Sequence, residues 1–222
     1  MKLMLLHTCG TQASLALADT ELSQPIIVVE HMPGRSASEM LVAIVRKVLS
    51  ANRWKLPQLD ALAVVTGPGS FTGVRVGLSA AKGLSEAVGT PMVAVSRLAM
   101  LAAEVPSDGQ RVCAFLDAGR NEFYCGQYLD GNQPWEGLVT MENAVREAKG
   151  AFAVACEDSA CAALSKLIPV RQVAEPTAAA ALPFALQRIH EGSFDDPASI
   201  DASYLRRTDA EIFAQPTVSR VS

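Results

Sequence analysis

The strongest constraint on this chain is an order of apolar segments that occurs twice. Residues 2–8, 13–18 and 25–31 are short β-like apolar runs separated by polar turns, which reads as a meander. They are followed by a helical pattern at 38–53, a buried strand at 59–65, a helix at 72–88, a strand at 91–95 and a short helix at 97–104. The second half repeats that order more weakly. It has strands at 111–116, 122–129 and 135–140, a helix at 142–149, a strand at 151–156 and a helix at 159–167. A meander followed by a crossover helix yields a mixed sheet with helices on its faces. The expectation is an α/β fold of two βββαβα halves, residues 1–105 and 106–222, hinged at Pro106, Ser107, Asp108 and Gly109. An alanine-rich helix at 177–190 then precedes a tail whose cluster of Tyr204, Leu205, Ile212 and Phe213 is expected to pack back along the surface.

Composition narrows the class. With 50% hydrophobic and 19% charged residues in 222 positions, the chain can bury a core without staples. Nineteen Lys and Arg against 23 Asp and Glu leave a net charge of −4 and no basic block, which argues against a phosphate-backbone grip by this chain alone. No apolar run reaches the roughly 18–20 residues of a membrane span, and residues 3–6 are too short for a signal-peptide core. Cys9, Cys113, Cys125, Cys156 and Cys161 form an odd set without a C-x-x-C pair, so a reducing cytoplasm is expected.

The stretch TGPGSFTG, residues 66–73, is the most informative segment. Gly67, Gly69, Ser70, Thr72 and Gly73 stand where a strand ends and a helix begins, so free helix N–H groups and two hydroxyls could cradle an anion. The competing reading is a tight turn whose glycines permit close packing. The spacing is neither a P-loop nor a dinucleotide fingerprint. Behind it, the small residues of the helix 72–88 suit close helix contact, and the helix 38–53 carries an apolar row. Together they suggest an interface, isologous if the chain self-associates. The residues expected in it are Met40, Leu41, Ile44, Val45 and Val48 on the first helix, with Val74, Gly77, Leu78, Ala81, Lys82 and Ser85 on the second.

Catalytic groups are sparse. His7 and Asp117 end the first strands of the two halves, where a pair of carboxylates would suit a Mg²⁺–nucleotide cleft, but imidazole is a poor Mg²⁺ ligand. His31 and His190 lack metal-ligand spacing, and Ser70 lacks a nucleophile elbow. Neither a metal site nor a cofactor is expected.

Residues 59–101, LDALAVVTGPGSFTGVRVGLSAAKGLSEAVGTPMVAVSRLAML, closely resemble the TsaB (YeaZ) family. HTCGTQASLALAD, DAGRNEFYCGQY and ASYLRRTDAE follow the family more weakly in the same order. The resemblance implies an actin, sugar kinase and Hsp70-like fold with two RNase H-like halves. It further implies a non-catalytic accessory subunit for the TsaD transferase, which forms N6-threonylcarbamoyladenosine at position 37 of tRNAs reading ANN codons. The partners it implies are a TsaD-like transferase, a TsaE-like ATPase in a larger complex and, indirectly, tRNA, with a homodimer when the chain is alone. In the family the two helices of the first half build the partner bundle. Where members commonly have Asp-Thr at the end of the first strand, this chain has His7-Thr8, and it reads CEDSA at 156–160 where relatives have a glycine-bearing turn. Gly67, Gly69, Ser70, Thr72, Gly73 and Asp117 are then at most a vestigial ligand loop. The alternative is a nucleotide-dependent phosphotransferase or a peptidase of the same fold.

Overall fold

The computed structural model describes residues 1–106, 108–129 and 134–203, so the expected cluster at Tyr204, Leu205, Ile212 and Phe213 lies outside it. The first half contains β1 (Lys2–His7), β2 (Gln12–Asp19), β3 (Ile26–Pro33), α1 (Ala37–Ala51), β4 (Ala61–Val65), α2 (Phe71–Val88) and β5 (Met92–Val95). Its sheet runs β3-β2-β1-β4-β5, antiparallel within the meander and parallel from β1 through β4 to β5. Leu3, Met4, Leu5 and Leu6 of β1 are all fully buried. That continuous apolar run is what a central strand covered on both faces requires.

The second half repeats the topology. After α3 (Arg97–Ala102) come β6 (Val112–Gly119), β7 (Glu122–Tyr128), β8 (Trp135–Thr140), α4 (Met141–Glu147), β9 (Phe152–Ala155), α5 (Asp158–Leu164) and a two-residue β10 (Arg171–Gln172). The sheet order is β10-β9-β6-β7-β8, so β6 corresponds to β1 and Asp117 to His7. The fold is thus two mixed-sheet α/β halves, as the segment order predicts.

The last helix of each half departs from that expectation. Leu98, Leu101 and Ala102 of α3 pack with Val112, Ala114, Leu116 and Val154 of the second sheet. Conversely, the residues expected as one helix at 177–190 form a 3₁₀ turn (Ala178–Ala181) and then α6 (Leu182–His190), with Pro183 in its first turn. Ala178, Ala181, Leu182 and Ala185 lie in the core of the first half, together with Ile200 and Ala202. Residues 178–202 therefore return to the sheet of residues 1–105. The two halves exchange their terminal helices.

Within the first half, α1 and α2 lie side by side on one face of the sheet, and α2 approaches the end of β1 more closely than a side chain would allow. A Cβ on Gly73 would stand 2.1 Å from the Thr8 carbonyl oxygen, and one on Gly77 would stand 2.2 Å from Thr8 Oγ1. The Thr8 hydroxyl donates to the Gly73 carbonyl at 2.6 Å. The small residues of this helix are therefore used internally. Gly73→Ala is expected to lose about 1–3 kcal/mol through overpacking against backbone. Gly83→Ala, at a helix position with nothing within 4 Å, should gain about 0.5–1 kcal/mol. Urea unfolding of the two variants checks both signs.

Candidate functional site

Where the halves meet there is an open cleft of about 650 Å³. Cys9, Gly10 and Thr11 of the β1–β2 turn, Gly34, Arg35 and Ser38 at the start of α1, Ser70, Thr72, Gly73 and Val76 of α2, and Glu157 line it. Of the expected ligand loop, Ser70, Thr72 and Gly73 reach this cleft. Gly67 and Gly69 are not part of its lining, and Asp117 lies at the end of β6, also outside it.

The chain itself fills the loop. Ser70 N–H donates to the Cys9 carbonyl at 2.8 Å, and Ser70 Oγ caps α2 by accepting from Gly73 N–H at 3.2 Å. Gly67, at φ +108, turns its carbonyl toward Arg97 N–H at 2.7 Å. A Cβ on Gly69 would stand 2.2 Å from the Cys9 carbonyl oxygen and 3.0 Å from Arg97 Nη1. The glycines thus make room for a backbone turn and a guanidinium of the same chain.

Arg97 is the centre of the site. Its side chain is 1% exposed, with Nη1 3.1 Å from Glu157 Oε1 and Nη2 2.8 Å from Glu175 Oε1. Each carboxylate is held a second time. Glu157 Oε2 accepts from Asp117 N–H at 2.7 Å, and Glu175 accepts from Thr11 N–H at 2.9 Å and from the Thr11 hydroxyl. Burial raises the proton affinity of Glu175, but the Thr11 hydroxyl bond and Arg97 outweigh it and hold the carboxyl below its usual range. Asp117 spends its own carboxylate on Gly119 N–H at 2.7 Å. The sequence reading missed Arg97, Glu157 and Glu175. One signal was available: Arg97 is the sole charged residue between Glu86 and Glu104, in an otherwise apolar segment.

Tested against a metal–nucleotide, these residues do not fit. The end of β1 offers the imidazole of His7, which is buried, has no hydrogen-bond partner for either nitrogen, and is pushed down to about 4 by burial and by Arg97. The two carboxylates in reach, Glu157 and Glu175, are both already paired with Arg97. Burial also pushes the Cys9 thiol up to about 11 and the Cys156 thiol to about 12, so neither is a thiolate nucleophile near neutral pH. Among the described residues no group of three or more His, Cys, Asp or Glu could hold a metal ion, and no helix is long and apolar enough to cross a membrane.

The interface residues fall into two sets. Leu41, Ile44, Val45, Val48, Val74, Gly77, Leu78, Ala81 and Ser85 are buried in the chain's own core. Their apolar periodicity is the stripe that seats each helix on its sheet, so it corrects the expectation that they face a partner. Met40 is exposed and Lys82 half-buried. The solvent-facing layer of these helices also presents Val42 at 65% exposure, Arg46, Arg75, Ser79 and Gly83, with the Arg75 guanidinium 3.6 Å above the Phe71 ring.

Comparison with known proteins places this architecture. Residues 19–169 match the family described as TsaD: tRNA N6-adenosine threonylcarbamoyltransferase. The tRNA threonylcarbamoyladenosine biosynthesis protein TsaB of Escherichia coli is 37% identical over 109 residues, covering 48% of this chain and 47% of that protein, so the match spans about half of that curated relative. An uncharacterized protein of Mycobacterium tuberculosis is 30% identical over 183 residues, covering 81% of this chain and 80% of its own length. The structure of YeaZ from Pseudomonas aeruginosa superimposes with a TM-score of 0.77 at 25% identity, covering 91% of this chain and 99% of that one. Two mixed-sheet halves with a cleft between them define a protein of the actin, sugar kinase and Hsp70 fold class. Within that class the chain belongs to the TsaB (YeaZ) family.

The state of His7 has a measurable consequence. Unfolded, its imidazole takes a proton near the ordinary histidine value of 6.5, and folded only near 4. Between those values the unfolded chain holds the extra proton, so stability falls as pH drops through the window, by up to about 3 kcal/mol. Urea midpoints measured from pH 7 to pH 5 should decline in the wild type and flatten in His7→Leu. An equal slope in both would remove His7 as the cause.

Proposed function

We propose that this chain is the non-catalytic accessory subunit of a tRNA-modifying assembly. In that assembly it supports a TsaD-like transferase in forming N6-threonylcarbamoyladenosine at position 37 of tRNAs reading ANN codons. The observation that carries this reading is that the carboxylates at the joint of the halves are engaged within the chain: Glu157 and Glu175 both pair with Arg97, and Asp117 accepts from Gly119 N–H. Membership in the TsaB family supplies the pathway. A phosphotransferase of this fold would need hard oxygen donors at the end of β1, where His7 stands, and a serine hydrolase would need the Ser70 hydroxyl, which caps α2.

The contact surface proposed for the transferase, or for a second copy when the transferase is absent, is the outward layer of α1 and α2. Met40 and Val42 provide exposed apolar area there, and Ser79 and Gly83, one turn apart, allow a partner helix to come close. Lys82 borders this layer. A TsaE-like ATPase would join the same assembly, and tRNA would be held mainly by the partner, since this chain carries a net charge of −4.

An omission assay tests the function. Unmodified ANN-reading tRNA, threonine, bicarbonate, ATP and the other threonylcarbamoylation proteins of the same genome are combined with and without the chain, and the nucleosides are analysed. Modification should require the chain, and equal modification without it overturns the proposal. A Val42→Arg/Ser79→Arg variant should melt like the wild type yet bind the transferase at least about tenfold more weakly, the equivalent of 1.4 kcal/mol. Unchanged binding in a pull-down or by calorimetry would move the interface elsewhere.

A further inference from the structure

Among the described residues two stretches of chain pass between the halves, and they pass side by side. On the way out, Arg97 N–H still bonds the first half at Gly67, whereas Leu98 is already in the core of the second sheet. On the way back, Val173 N–H donates to Ala155 in the second half, and Ala178 N–H donates to Ser14 Oγ in the first at 2.8 Å. Arg97 stands on the first crossing and Glu175 on the second, and their 2.8 Å ion pair staples the crossings together. Glu157 at the head of α5 ties the guanidinium to the body of the second half, and Thr11 ties Glu175 to the first-half turn. Gly10 keeps this junction open, because a Cβ there would stand 1.8 Å from Glu175 Oε1.

We propose that this cluster is a hinge lock: Arg97 supplies, from within the chain, the positive charge that holds the two halves at one opening angle. Rotation about the crossings would have to break the guanidinium away from Glu157, from Glu175 or from both. That would strand a charge in a site 1% exposed, which is the costly way to break a buried pair. Ser96, the neighbouring residue, reinforces the joint by donating its hydroxyl to Glu136 of β8, which also accepts from Tyr128. The lock accounts for the poor fit of the cleft to a metal–nucleotide, since the carboxylates that would meet a cation are held by an internal one. It stands apart from the proposed function, because it is argued from contacts within this chain alone.

Amide hydrogen exchange on the full chain reads the lock directly, through the two N–H groups that its carboxylates hold, Thr11 and Asp117. In Arg97→Met both should exchange at least about tenfold faster, while amides of the β1–β4 ladder keep their protection. Free guanidinium ion, added well below denaturing concentrations, should restore protection in Arg97→Ala, and sodium chloride should not. Arg188→Met is the control for general loosening. It removes a 2.8 Å pair to Asp195 away from the joint and should leave Thr11 and Asp117 unchanged. Should Arg97→Met fail to fold, Arg97→Gln keeps a polar side chain there while removing the charge, and it should show the same two fast amides. Wild-type protection of both amides in a folded variant of either kind overturns the proposal.

Discussion

The approach of α2 to the end of β1 is the contact on which the other features of the site depend. Two segments of backbone meet where Gly69 faces Cys9 and Gly73 faces Thr8 with no Cβ between them, and one turn on Gly77 admits the Thr8 side chain. Because the contact is backbone to backbone, it leaves little freedom in how α2 sits on the sheet. It also decides the use of the loop TGPGSFTG. Its N–H groups and carbonyls face Cys9 and Arg97, so a segment that could have held an anion serves as the seat of a buried arginine.

From that seat follows the character of the cleft. In the duplicated fold, His7 and Asp117 occupy equivalent strand ends, yet neither offers a free carboxylate to it. The ion pairing there comes instead from Arg97, reached from a crossing segment, and from two glutamates that lie far from it in sequence. Exchange of α3 and α6 between the halves adds apolar packing to this polar joint.

Much of the architecture was legible in the residues. Strand and helix positions followed from periods of two and 3.6, and the doubled order emerged because each half alternates the same element types. The 3₁₀ turn before α6 was hidden inside a helical alanine run, and β10 is too short to carry a pattern. The proposed interface is legible only in the helices that carry it. Apolar spacing marks the buried stripe, so Leu41, Ile44, Val45 and Val48 stood out, although they face the chain's own sheet. Periodicity reports that a face is covered and is silent about what covers it.

The sequence by itself determined the duplicated α/β architecture, the tight strand-to-helix turn and the family resemblance, because these rest on local patterns and contiguous motifs. Only the tertiary structure decided that the halves trade helices, that the glycines admit Thr8 and Cys9, and that Arg97 meets Glu157 and Glu175. Those pairings join residues 60 and 78 positions apart. No local propensity encodes a contact at that separation, since its energy appears only once both sheets have formed and water has left the joint.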